Sequence, residues 1–270
     1  EKLAPADCQV DGDWKTVAQA KDIDGVIVAT PPALHADMVS VAVQAGLPVF
    51  VEKPLTLDVE EAQALGDLVT EYEGYVMVDH TQLFNPAFIS LKDTMDRLGP
   101  VRSIRSEAGN WGPFRKDAAV LWDWGPHDVA MCLDLMRQVP SSVSARRVGV
   151  GGENGENIEL TLTFANDVIA TIEIGNIRSE KARRFDVLCR DGELSFDDLA
   201  TEKLTLNSAS TPSATLVKAM EYSAELPLTR AVRQFVEEID GGRRGGESLL
   251  LGIEVVRVLA RCQCALDGSP

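Results

Sequence analysis

Three short and almost wholly apolar runs stand in the first third of the chain: Asp24-Gly25-Val26-Ile27-Val28-Ala29-Thr30, Leu47-Pro48-Val49-Phe50-Val51 and Gly74-Tyr75-Val76-Met77-Val78-Asp79. Continuous β-branched and aromatic residues leave no face for water, which is the signature of strands covered on both sides, as in a parallel sheet. Helical stretches separate them. His35 to Ala45 carries apolar residues at helical spacing (Met38, Val39, Val41, Ala42) and closes on Gly46. Asp58 is a candidate N-cap ahead of Glu60 and Glu61 for a helix running towards Tyr72, and Asn85-Pro86 opens another that Gly99-Pro100 ends. Strand, helix and strand repeated in this way predict right-handed βαβ crossovers and half of a doubly wound α/β domain.

The second run ends unusually. Val49-Phe50-Val51 leads straight into Glu52-Lys53-Pro54, and Pro54, with no N–H for a ladder, forces the chain to turn there. Glu52 and Lys53 are thereby delivered to the carboxyl edge of the sheet, where ligands of open α/β sheets bind. A lysine held there and partly desolvated suits proton transfer or carbonyl polarisation. Taken alone, the tripeptide would favour a surface ion pair at a loop; the apolar strand ahead of it turns the reading to the sheet edge.

After Gly99 the pattern changes. Val101 to Asn110, Ser142 to Val150, Ile158 to Phe164, Val168 to Ile174, Arg184 to Cys189, Gly192 to Phe196 and Lys203 to Leu206 read as short antiparallel strands, with turns at Asn166-Asp167 and Arg190-Asp191-Gly192. Val120 to Arg137, Leu228 to Ile239 and Glu247 to Ala265 read as helices on one face of that sheet. The division expected is therefore a Rossmann-like parallel α/β domain over 1–99, incomplete at its N-terminus because no strand opens the first twenty residues, and an α+β domain with a mostly antiparallel open sheet over 100–270. Only Trp14 to Lys21 has helical character ahead of the first strand.

A formal net charge of −16 repels phosphate backbones and anionic membranes, so neither nucleic acid nor membrane is an expected partner, whereas an anionic small molecule can still be met by local positive charge. The five cysteines (Cys8, Cys132, Cys189, Cys262, Cys264) form no C-x-x-C pair, and Cys262 and Cys264 point apart on a helix, so reduced thiols in a cytoplasmic protein are expected. Three histidines (His35, His80, His127) without H-E-x-x-H or a cysteine cluster give no expected metal site.

Trp122-Asp123-Trp124-Gly125-Pro126-His127-Asp128 is the second constellation. Asp123 and His127 are four apart and share a helix face, although Asp123 is also a candidate N-cap with Pro126 in the first turn. A histidine beside a carboxylate in a crevice is a candidate acid/base, and an N-cap aspartate next to a structural histidine is the plainer alternative. The stretches Asp24 to Pro32 with His35, Ala45-Gly46 leading to Glu52-Lys53-Pro54, Asp123-x-Gly125-x-His127, and the closing run Gly252 to Gly268 together resemble the glucose–fructose oxidoreductase / inositol dehydrogenase (Gfo/Idh/MocA) family, with matching order and spacing.

The resemblance implies an NAD- or NADP-dependent oxidoreductase that moves a hydride between the nicotinamide and a secondary hydroxyl of a sugar, cyclitol or nucleotide sugar. It implies that Thr30, Pro31, Pro32 and His35 line the dinucleotide and Glu52 lies near the nicotinamide ribose. Lys53 contacts the reacting hydroxyl and borders the cofactor, Asp123 orients the substrate, and His127 exchanges the hydroxyl proton. The family's glycine-rich G-x-G-x-x-G turn is absent, so the chain is expected to begin after the first βαβ unit, lacking roughly 30 or more residues, and as it stands to bind dinucleotide weakly or not at all. Arginine is frequent in the family before the aromatic residue of Leu83-Phe84-Asn85-Pro86, and this sequence has leucine. His80 is placed near the cofactor or in a structural role, and Trp111, Phe114 and Arg115 either border the substrate or pack against the sheet. A non-catalytic homologue that binds dinucleotide or sugar is the alternative reading. An antiparallel sheet with one apolar face predicts a homodimer or homotetramer through the second domain.

Overall fold

The computed structural model describes residues 8–152, 154–208 and 217–268. A short helix α1 (Trp14–Ala18), capped by Asp13, precedes strand β1 (Val26–Val28), helix α2 (His35–Gln44), β2 (Val49–Glu52), α3 (Val59–Glu71), β3 (Val76–Asp79) and α4 (Pro86–Met95). The three strands form one parallel sheet in the order β1-β2-β3, with Val26 beside Val49 and Glu52 beside Asp79. Asp58 caps α3 by accepting from the Glu61 N–H at 3.0 Å, and Asn85 caps α4 by accepting from Ala87 at 3.1 Å, each satisfying a donor that the helix start leaves free.

The remainder is β4 (Val101–Trp111), α5 (Val120–Met136), β5 (Ser142–Gly151), β6 (Gly155–Thr163), β7 (Ile169–Gly175), β8 (Ile177–Cys189), β9 (Gly192–Asp197), β10 (Leu204–Ser208), β11 (Val217–Ala219), α6 (Pro227–Asp240) and α7 (Glu247–Leu266). Its eight strands run in the order β11-β10-β9-β8-β4-β7-β6-β5, antiparallel except for the parallel pair β4 and β7 at the centre. The turn between β6 and β7 has both Asn166 and Asp167 at left-handed φ (59° and 58°), the backbone that a tight hairpin connection demands and that these short polar side chains tolerate.

Two cores result, and the closing helices serve both rather than covering only the second sheet as expected. Helix α6 lays Ala231 and Phe235 on one face of the parallel sheet, against Phe50, Tyr75 and Met77. Helix α7 buries Leu249, Ile253 and Val256 against Val51, Leu65 and Val78 on the other face, and buries Val255, Val258, Leu259 and Cys262 against α5 and the large sheet. The sequence gives α7 apolar residues on most of its circumference, which is what a helix enclosed on two sides requires. Phe88, Phe164, Phe185 and Phe196 fill the larger core, each stabilising by about 1.5–3 kcal/mol on burial. Gly125 lets α5 and α7 approach: a Cβ there would meet Leu259 Cδ2 at 2.8 Å. That approach fixes how deeply α5 sits, and α5 carries Asp123 and His127.

The apolar face of the large sheet is thus taken up by helices. The opposite face carries Arg105, Glu107, Glu159, Glu173, Arg178 and Arg184, linked by ion pairs such as Arg178 to Glu107 and Arg146 to Glu159, with Ile169 and Leu188 as exposed apolar residues. Among the described residues no helix is long and apolar enough to cross a membrane.

Candidate active site

The carboxyl ends of β1 and β2 and the start of α5 face each other across a cavity of about 380 Å³. Ala29, Thr30, Pro31, Pro32, Glu52, Lys53 and Pro54 form one wall, and Arg115, Ala118, Trp122 and Asp123 the other. The Lys53 ammonium spans the gap: it donates to the backbone carbonyl of Asp123 at 2.6 Å and to Asp123 Oδ1 at 3.4 Å. Arg115 Nη1 donates to the same carboxylate oxygen at 3.2 Å. An ammonium has three N–H donors, so one remains for a ligand.

The turn that receives Lys53 is set by α5 itself. The helix starts one turn earlier than the Asp123 cap considered from sequence, at Val120 after an N-cap Ala119, and Pro126 lies inside it. Pro126 cannot donate to the carbonyl four residues back, which leaves this turn one hydrogen bond short. Asp123 is therefore an intrahelical residue whose carboxylate faces the cavity, and His127 follows it by one turn.

His127 is partly buried, and its Nδ1 is enclosed without a partner among the described residues. Burial, then the charges of Arg183, Lys53 and His80, hold its imidazole well below the ordinary histidine range, which favours the neutral ring. Lys53 is itself lowered by burial, against the opposing pull of Asp123. The Lys53 charge is thus felt at His127, which lies one helical turn beyond Asp123 and is not among the residues lining the cavity.

Sequence reasoning gave little weight to the tip of β3. Val76-Met77-Val78-Asp79-His80 repeats, one strand over, the pattern of Val49-Phe50-Val51-Glu52-Lys53; this apolar run ending in an acid and a base was the signal available. Asp79 and His80 are 1% and 2% exposed. Asp79 Oδ1 accepts from Thr81 Oγ1 at 2.9 Å, while Oδ2 has no partner among the described residues. Burial and the neighbouring Glu52 push its carboxyl up to about 6. Among the described residues neither ring nitrogen of His80 has a partner, and burial with the Lys53 charge brings it down to about 3.

His35 takes a different place from the one expected. Its buried ring lies behind the cavity wall, with Nδ1 at 2.8 Å from the carbonyl of Pro54 and Nε2 at 2.9 Å from that of Thr30, tying together the turns that follow β2 and β1. Trp111 and Phe114 meet edge to face at 5.8 Å, and Trp111 is 70% exposed; Arg115 alone of that trio lines the cavity. A separate cavity of about 340 Å³, lined by Tyr75, Glu238, Arg243 and Ser248 among others, contains none of the expected site residues.

Comparison with known proteins accords with this arrangement. The oxidoreductase family with an NAD-binding Rossmann fold matches residues 5–80, and the Gfo/Idh/MocA C-terminal domain matches residues 91–195. A crystal structure of a provisionally assigned oxidoreductase from Magnetospirillum magnetotacticum MS-1 is 43% identical, with a TM-score of 0.90 over 97% of this chain and 87% of that one. UDP-N-acetylglucosamine 3-dehydrogenase of Acidithiobacillus ferrooxidans is 30% identical over 181 residues, covering 66% of this chain and 56% of that protein. Inositol 2-dehydrogenase of Rhizobium meliloti is 31% identical over 136 residues, 48% of this chain and 41% of that protein. The chain spans about half the length of the curated relatives it matches. A parallel sheet with an acid–base tip, a mostly antiparallel sheet behind it and the cleft between them make this chain a member of the Gfo/Idh/MocA oxidoreductase family.

Proposed function

We propose that the protein to which this chain belongs transfers a hydride between NAD or NADP and a secondary hydroxyl of a sugar, cyclitol or nucleotide sugar. The observation that carries this reading is the Lys53 ammonium docked on Asp123, one helical turn from a neutral His127. The cavity at the strand ends suits a flat nicotinamide: its wall is short-chained (Ala29, Thr30, Pro31, Pro32) and Glu52 offers a carboxylate to a ribose hydroxyl. Those residues and Lys53 would hold the cofactor, with His35 fixing their turns from behind. When bound, the nicotinamide supplies the hydride acceptor or donor.

The chain's own residues do the rest. The third N–H of Lys53 polarises the reacting oxygen and stabilises the negative charge that develops on it. Asp123 keeps that ammonium aimed, assisted by Arg115. His127 accepts the hydroxyl proton in oxidation and returns it in reduction. Residues 1–99 form the cofactor half and 100–270 the substrate half, with α6 and α7 crossing back onto the first sheet. The protein works in the cytoplasm with its thiols reduced. It associates as a homodimer or homotetramer through the outward face of the large sheet, where Ile169 and Leu188 are exposed among charges of both signs.

The test is turnover of the full-length protein with NAD and NADP over a panel of sugars and cyclitols. Lys53→Met and His127→Ala should each lower kcat/KM by about 10²–10⁴-fold. Wild-type rates in both variants would refute the assignment, and dinucleotide binding with no hydride transfer across the panel would favour a regulatory homologue.

A further inference from the structure

Arg183 stands out among the described residues because its charge has no adequate partner. It lies in β8 opposite Ala108 of β4 and, like Phe185 and Val187, points to the helix-covered face, where its side chain is 16% exposed. Its guanidinium lies 5.9 Å from the ring centroid of Trp124. Among the described residues its one ion-pair partner is Asp128, at 3.6 Å from Nη1, too long for a hydrogen bond; Nη1 and Asp128 Oδ2 are both buried, with no hydrogen-bond partner among those residues.

Asp128 is a shared partner. The Ser106 hydroxyl lies 2.5 Å from Asp128 Oδ1 and 3.2 Å from the carbonyl of Arg184, and its one proton serves Oδ1 at the shorter distance, leaving Oδ2 to face Arg183 across 3.6 Å. Burial raises the Asp128 carboxyl against the opposing pull of Arg183 and Ser106. A largely enclosed guanidinium with only this long contact is costly unless something else adds counter-charge.

The position suggests what brings it. Lys53 docks on the helix row that holds Asp123 and His127, and Arg183 packs on the neighbouring row that holds Trp124 and Asp128. Trp124 and His127, one from each row, are three apart and so about 5–6 Å at Cβ, and the Arg183 charge is felt at His127. Resting on the dehydrogenase reading above, we infer that Arg183, backed by Trp124, binds an anionic substituent of the substrate, a carboxylate or a phosphate, beside the hydroxyl that meets Lys53 and His127. A planar fork of donors matches either group. The chain's net charge of −16 works against indiscriminate anion binding, so a preference for the charged member of a matched pair reports a local site.

The experiment is equilibrium binding to the full-length protein, followed by tryptophan fluorescence, with two matched pairs: glucuronate against glucuronamide, and glucose 6-phosphate against glucose. The wild type should bind the anion of at least one pair tenfold or more tightly than its neutral counterpart, and the preferred pair tells carboxylate from phosphate. Arg183→Met should abolish the preference and Arg183→Lys should keep part of it. Lys53→Met, which disables turnover, should leave it intact. Thermal melts establish that each variant folds. A wild type with no preference for either anion, or an Arg183→Met variant that melts like the wild type and keeps the same ratio, overturns the inference. Because the readout is binding, an inactive protein with a clear Arg183-dependent preference refutes the dehydrogenase reading and leaves the anion site standing.

Discussion

Replacing Asp79 by asparagine should make the protein more stable at neutral and alkaline pH, although it removes an acid from the edge of the cleft. Asp79 is 1% exposed and has Glu52 beside it in register, and its carboxyl is raised from an ordinary 3.8 to about 6. The folded chain therefore holds this proton to higher pH than the unfolded chain does. Between those two values folding is linked to proton uptake, so stability falls as pH rises through that window and the whole cost is present above it. With about 1.4 kcal/mol for each tenfold change in proton affinity, the cost near pH 8 is of the order of 3 kcal/mol, falling to about half that near pH 5 and towards zero below pH 4. Asparagine cannot ionise, and its carbonyl still accepts from Thr81 as Oδ1 does at 2.9 Å. Urea unfolding followed by tryptophan fluorescence, at a series of pH values, measures the difference directly. A gain that is the same near pH 5 and pH 8, or a variant less stable than the wild type near pH 8, would refute the linkage.

In the full-length enzyme, kcat/KM should show no acid limb at the ordinary imidazole value of about 6.5, because His127 is neutral well below it; such a limb, lost in His127→Ala, would contradict the burial argument. The alkaline limb should begin below the ordinary lysine value of 10.5, since burial lowers Lys53, and it should vanish with Lys53→Met in whatever residual rate remains. Gly252→Ala should destabilise by about 1–3 kcal/mol, because the new Cβ would sit 2.8 Å from Val78 Cγ2 in a filled core; thermal melts read this, and an unchanged midpoint would show that α7 shifts freely. Light scattering at micromolar concentration should give a dimer or tetramer, and charge reversal at Arg178, which bridges Glu107 and Glu173 on the outward face, should shift the population towards monomer.

What could be read from the sequence was what depends on local pattern. The three parallel strands, their helices and the caps Asp58 and Asn85 were legible, because apolar runs and capping chemistry act over a few residues. Lys53, Asp123 and His127 were legible as a group through family resemblance; hydrogen bonds join Lys53 to Asp123, while His127 follows one helical turn on and is not among the residues lining the cavity. The position of His35 was not, since two carbonyls from different turns capture its ring and neither is marked in sequence. The start of α5 at Val120 was legible from its apolar run, and the alternative of an Asp123 cap falls away because Ala119, with no side-chain oxygen, precedes the helix. Arg183 left no trace: its neighbours Trp124 and Asp128 lie far off in the chain, and only pairing of β8 with β4 brings them near. The closing helices were assigned to the second sheet by proximity in sequence, whereas apolar residues around most of α7 fit two enclosures at once.

That double seating of α7 bears on how a substrate would enter. One row of its side chains (Leu249, Ile253, Val256) is plugged into the first sheet and another (Val255, Val258, Leu259) into the second. Swinging the sheets apart as rigid lobes would drag one row out of its socket and uncover several large aliphatic groups together. Traffic through the cleft must therefore rely on rearrangement at its rim, in the Trp111 to Ala118 loop and the Arg115 side chain, while the dividing wall stays fixed like the spine of a book.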